Sequence, residues 1–230
     1  MAMVGPTRMN MWPPRMNTEG GLLTLAQWLS PAYPVGAFAY SHGVEDAIAN
    51  GRLTERQRLQ EWLEDLLCFG SGRTDCILLR EAHASRDATT LAHVNDTALA
   101  FAACAERRLE MTAQGEAFCK TTAAIWGGED TGHVYCVAVG AAAARLRIDP
   151  GLAAALYLQA LISNLVSAAQ RLMKLGQTEG QRLIATLTPM CQSVAADTKA
   201  CTLDDLHSAA FLSDIAAMRH ETLQPRIFRT

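Results

Sequence analysis

Apolar residues recur along most of this chain at helical spacing, and one stretch near the start interrupts them. Leu22, Leu25, Ala26 and Leu29 lie three or four apart and predict a helix that must stop at Ser30, because Pro31 disfavours helical backbone in the residue before it. Residues 30–46 then combine two prolines, two glycines and three aromatics. Pro31 and Pro34 each remove a backbone donor, Gly36 and Gly43 permit close approach, and Phe38 and Tyr40 offer contact area. Taken alone, the stretch reads as a well-made interhelical turn. Ser41 is a plausible N-cap for a second short helix, with Val44, Ala47 and Ile48 on one face and Gly51 as its stop. Glu45 and Asp46 fall in its first turn, where the helix dipole favours carboxylates.

The remaining pattern is helical throughout. Thr54 and Gln57 form a candidate capping box for a third helix, whose Leu59, Trp62, Leu63, Leu66 and Leu67 make the cleanest amphipathic stripe; Gly70 and Gly72 close it. A helix over 75–85 precedes a longer one whose buried face is marked by Phe101, Ala105 and Leu109, while Glu106, Arg107, Arg108 and Glu110 face solvent or a partner. Gly115 need not break that helix, and Gly127-Gly128 ends it. Residues 133–146 predict a central, alanine-rich helix, and Asp149-Pro150 caps the next, 151–175, which is apolar on nearly all sides. Such a helix is a bundle centre or an oligomer surface. Thr178 and Gln181 suggest another capping box, Pro189 breaks the helix that follows, and Thr188 caps a further short one. Thr202 and Asp205 start the last helix, with Leu206, Ala210 and Ile215 along it and Arg219 and His220 at its C-terminal end. No linker or repeat intervenes. The expectation is an all-α, single-domain bundle of about ten helices over 21–222, after a disordered leader (1–20) and before a tail (223–230).

Composition narrows the function. Half of the 230 residues are hydrophobic but only 6% are aromatic, so the core must come mainly from aliphatic and small side chains. A net charge of −3, with no basic run, argues against nucleic acid and anionic membranes as partners. Seven cysteines stand singly, without a Cys-x-x-Cys pair, which suits a reducing compartment. No signal peptide is evident, and the nearest approach to a membrane span, 134–148, is broken by Arg145 and Arg147; a cytoplasmic protein is expected.

Catalytic constellations are missing. There is no phosphate-binding glycine loop, no His-Glu-x-x-His, no paired Glu-x-x-His and no Gly-x-Ser-x-Gly. Neither an enzyme nor a cofactor is expected. His42, His133 and His220 are either capping or hydrogen-bonded structural residues or ligands for a metal such as nickel or zinc. Two stretches invite more. In the tail, Phe228 between Arg226 and Arg229 has the composition of an interface anchor, or else packs on its own domain. Arg171 and Lys174 suit a helix C-terminus or a partner.

Four ordered blocks together resemble one family. They are Leu22-Leu-Thr-Leu-Ala26; Pro34-Val-Gly-Ala-Phe-Ala-Tyr-Ser-His-Gly-Val-Glu45; Ser163-Asn-Leu-Val-Ser-Ala-Ala-Gln-Arg-Leu172 with Leu175-Gly-Gln-Thr-Glu-Gly-Gln-Arg182; and Asp214-Ile-Ala-Ala-Met-Arg-His-Glu-Thr222 with Arg226-Ile-Phe-Arg-Thr230. They resemble the urease accessory protein UreF, over nearly the whole chain after residue 20. Two departures stand out: Ala37 replaces a usual glycine, and Gln224-Pro225 replaces a tyrosine and a small residue. The resemblance implies an all-α homodimer that is no enzyme. It implies that the chain binds UreD (also called UreH) and with it recruits the GTPase UreG to apo-urease for nickel insertion, possible effects on GTP hydrolysis included. A direct nickel carrier is the alternative. The implied partner-binding residues are Pro34, Gly36, Phe38, Tyr40, Ser41, His42, Gly43 and Glu45 in the loop. Arg171, Lys174 and Gln177 follow in the middle block, then Arg219, His220, Glu221, Arg226, Phe228 and Arg229 at the end. The tail is expected to order on binding UreD.

Overall fold

A computed structural model of the chain describes residues 18–128 and 132–229. Among them are ten α-helices: α1 (Thr18–Trp28), α2 (Val44–Ala49), α3 (Arg56–Phe69), α4 (Ser71–Ala84), α5 (Ala88–Ala100), α6 (Ala105–Trp126), α7 (Tyr135–Arg145), α8 (Pro150–Leu172), α9 (Gln177–Asp197) and α10 (Phe211–His220). No strand occurs among the described residues, so the chain is all-α. The leader expected over 1–20 lies outside the described residues except for its last three, which open α1.

Helix α4 is the hub. It packs on α7 and α8, and also touches α3, α5 and α9. Its approach to α7 is set by Gly140, where a Cβ would lie 2.2 Å from the Leu79 carbonyl oxygen; Val137, Val139 and Ala143 fill the rest of that buried face. Some of the few aromatics share one cluster. Trp28 meets Phe118 and Trp126 edge-on at 5.3 and 5.5 Å, and Phe118, Tyr135 and Tyr157 continue the chain of rings at 5.7 and 5.6 Å.

Several expectations are corrected. The long helix marked by Phe101, Ala105 and Leu109 is two helices, because the Cys104 thiol accepts the Arg107 amide and starts α6 afresh. Phe101 and Leu109 are exposed, and the buried face of α6 carries Glu110, Met111, Gln114, Phe118 and Thr122. Pro189 does not break α9. It and Ala185, whose carbonyl loses its ladder donor, are both on the exposed side, while Leu183, Leu187 and Cys191 hold the opposite face in the core. The capping boxes expected at Thr54 and Thr178 do not form; Glu55 and Gly176 occupy those N-cap positions without a side-chain bond. The box at Thr202 and Asp205 does form, but around the 3-10 turn Leu203–Asp205, and α10 starts only at Phe211. Asp149 caps α8 as expected, accepting the Leu152 amide at 2.7 Å.

It is α8, not 134–148, that comes nearest to a membrane span: among the described helices it alone has the length and apolarity. Its Leu158, Ile162, Leu165 and Ala169 are fully buried inside the bundle, against α9, α4 and α2, which is the role of a bundle centre.

Candidate functional site

The loop between α1 and α2 gets its shape from three left-handed residues. Gly36 has φ 72°, and His42 and Gly43 follow one another at φ 51° and 77°. Gly43 is required twice over, since a Cβ there would lie 2.7 Å from the Ala217 amide nitrogen of α10. His42 adopts a conformation uncommon for a side-chain-bearing residue, and its ring is held by a 2.7 Å contact to Glu110. Ala37 opens the 3-10 turn Ala37–Ala39 and is not among the positive-φ residues, so the missing glycine costs no strain there. The Ser41 hydroxyl accepts the Glu45 amide at 3.3 Å, although the formal N-cap of α2 is Gly43.

The tail folds back onto this loop. Glu45, only 5% exposed, accepts the backbone N–H of Ile227 on Oε1 (2.6 Å) and that of Phe228 on Oε2 (2.8 Å). His220 is completely buried; its Nε2 meets Glu45 Oε2 at 3.0 Å and its Nδ1 meets Glu106 Oε2 at 2.7 Å. Arg226 bonds the other oxygen of Glu106. Beyond the clamp, the Arg229 amide donates to the Ala39 carbonyl at 2.8 Å. Phe228 is buried with the Arg171 guanidinium 4.4 Å above its ring, and the same guanidinium donates to the Phe38 carbonyl at 2.9 Å. Burial raises the Glu45 carboxyl, but the bonds from His220 and the two tail amides outweigh it and hold the group below the usual carboxylate range.

Three of the blocks singled out in the sequence therefore meet in space: the loop, the end of α8 and the tail. Their side chains divide by direction. Tyr40, Ser41, His42, Glu45, His220 and Phe228 point inward, whereas Pro34, Phe38, Arg171, Lys174, Gln177, Arg219, Glu221, Arg226 and Arg229 are exposed. Glu221 accepts the Ala105 amide at the start of α6. Among the described residues, no side-chain bond of Lys174, Gln177 or Arg219 reaches the loop or tail. The departure at Gln224-Pro225 leaves this docking intact, because the tail is held by backbone amides, Arg226 and Phe228.

A second polar network lies beneath the loop. Arg107 bridges Asp75 Oδ2 at 2.8 Å and Glu110 Oε2 at 3.4 Å; Tyr157 donates to Asp75 at 2.8 Å, and Gln114 donates to Glu110 at 3.0 Å. The expectation that Glu106, Arg107 and Glu110 face solvent or a partner is thus corrected: Glu110 is 2% exposed, and Glu106 and Arg107 are committed to internal pairs. Burial works against the charge on Arg107, but Asp75 and Glu110 raise its pKa nonetheless. His42, Arg107 and Glu110 also line two cavities, of about 410 and 460 Å³, which meet at these residues. Spacing on α6 carried the missed signal, since 107, 110, 111, 114 and 118 lie on one helical face.

Among the described residues no cluster of three or more His, Cys, Asp and Glu has the arrangement of a metal site. Burial pushes the Cys191 thiol up to about 11, and Cys76 and Cys136 higher still, so these cysteines are inert core residues.

Comparison with known proteins decides the family. The UreF family profile matches residues 53–188. The chain is 50% identical to the urease accessory protein UreF of Ruegeria pomeroyi over 93% of its own length and 98% of the relative's. This chain belongs to the UreF family. The UreF of a Jannaschia species is 47% identical over 92% of the chain and 95% of its own length, and a UreF of Cereibacter sphaeroides 48% over 92% and 100%. Asp75, Arg107 and Glu110 fall inside the segment matched by the UreF profile, and the loop and tail lie outside it.

Proposed function

We propose that the protein is a non-catalytic adaptor in urease maturation, which joins UreD (UreH) and, through it, recruits the GTPase UreG to apo-urease for nickel insertion. The observation that carries the reading is the Glu45 clamp. It gathers the loop, the end of α8 and the tail on one side of the bundle, and leaves Phe38, Arg226, Ile227 and Arg229 pointing outward. Exposed aromatic, aliphatic and guanidinium groups held on a rigid base have the composition of a protein-binding surface. On α10, Phe211, Leu212, Ile215 and Met218 add a further exposed apolar stripe. The expected homodimer would cover such apolar surface, and its cytoplasmic location follows from the same role.

The experiment is retention of UreD by the full chain and by a variant lacking 223–230. Loss of UreD by the shortened chain supports the reading; equal retention by both defeats the assignment of the tail. Addition of UreG to the retained complex, with GTP turnover measured alongside, tests recruitment and any effect on hydrolysis.

A further inference from the structure

Of the two carboxylates that hold the tail, each also faces a different nitrogen of one buried imidazole. Glu45 Oε2 lies 3.0 Å from Nε2 of His220, and Glu106 Oε2 lies 2.7 Å from Nδ1. A neutral imidazole has one N–H and one lone pair, so it can donate to only one of them and would turn its lone pair on the other. Only the imidazolium satisfies both. The other oxygen of Glu45 takes the Ile227 amide, Oε2 also takes the Phe228 amide, and the other oxygen of Glu106 takes Arg226. Whatever moves either carboxylate moves a support of the tail.

We propose that His220 is a proton-operated latch: the tail stays docked on α2 and α6 while this ring carries its second proton and is released when the proton leaves. The groups facing the ring are Glu45 from α2 and Glu106 from α6, with Arg226 of the tail one step out on Glu106. Arg219 and Glu221 of its own helix are exposed, and Glu221 is engaged with the Ala105 amide. No cation other than the ring itself stands between the two carboxylate oxygens that face it. Deprotonation therefore leaves a lone pair against a carboxylate in a site closed to water, which is the costly outcome for a buried polar contact. The sign is fixed by where the proton sits. Docking is favoured by the bound proton, so it is complete at low pH within the histidine range and is lost as pH rises. The latch is intramolecular and holds whichever partner the tail meets.

The test is nuclear magnetic resonance on the full chain. Ring ¹⁵N shifts report the charge on His220, and exchange protection of the Ile227 and Phe228 amides, corrected for the intrinsic rate, reports docking. Protection is expected to fall about tenfold per pH unit once pH exceeds the free-imidazole value of ~6.5, and the His220 ring shifts should change only at the higher pH where the tail is released. Glu106→Gln supplies the decisive comparison. Its amide can donate to Nδ1 of a neutral ring while its oxygen still accepts from Arg226, so docking should lose its pH dependence across the same range. A neutral His220 ring in the docked protein, or protection in the parent chain that does not fall as pH rises, overturns the latch. So does a folded Glu106→Gln chain, checked by circular dichroism, that releases its tail with the same pH profile as the parent.

Discussion

The two polar networks of this bundle use the same residue types and do different work. Around Arg107, every member comes from a large packed element or is pinned to one: Asp75 on α4, Glu110 on α6, Tyr157 on α8, and His42 of the loop, held by Glu110. Those elements are already held together by Leu79, Val139, Leu158 and their neighbours, so the network has no assembly to direct. It makes three buried charges tolerable. Around His220, by contrast, the network holds a segment whose one large buried side chain is Phe228. There the polar bonds decide position. The two are joined in sequence, since His42 of the first lies three residues before Glu45 of the second, so the inner network sets the base on which the outer one closes.

Substitution can disrupt either network, and the inner one should give the largest effect. Arg107→Met leaves Asp75 and Glu110 buried without their cation and should cost about 3–5 kcal/mol of stability in urea denaturation; an unchanged midpoint would mean that the two carboxylates are compensated elsewhere. Glu45→Ala removes the acceptor of two tail amides and a partner of His220, for on the order of 1–3 kcal/mol. Helical content by circular dichroism should stay the same, trypsin should cut at Arg226 and Arg229 faster, and urease activation at equal protein level should fall. Normal activation by that variant would reduce the loop to a turn. Acid probes the same carboxylate without a substitution. Because the folded Glu45 is held below the usual carboxylate range, its contribution is present above the unfolded value of ~4.3 and is lost as pH falls through the lowered folded one. Tail amide protection should therefore persist through mild acid and collapse only below it; loss already at the ordinary carboxylate value would contradict the clamp. The smallest change is expected for Arg226→Ala. Its partly exposed pair with Glu106 is worth at most about 1 kcal/mol, and a larger loss in thermal denaturation would move the weight of the latch from the amides to the guanidinium.

Much of this architecture was legible from periodicity and breakers. The turn chemistry of 30–46, the cap at Asp149 and the buried stripes of α3 and α8 follow from local rules and appear as expected. What escaped depends on partners distant in sequence. A capping box at Thr54 or Thr178 is one option among several for an exposed helix start, and the structure takes another. Pro189 is harmless because of which face it occupies, and that is set by α8 and α3. The charged run on α6 looks solvated until Asp75 and His42 arrive from 32 and 68 residues away. The candidate site was legible as three stretches; their meeting was not, because the clamp is made by backbone amides, and amides are the same in every residue.

One dimension of the clamp concerns time. Ile227 lies 182 residues after the carboxylate that receives its amide. During synthesis Glu45 and α2 are made long before the segment that will cover them, and a contact of such long sequence separation is slow to form even in the finished chain. The helical bundle can thus be complete while its receptor for the tail is still open, and the first ligand to reach that receptor need not be the tail.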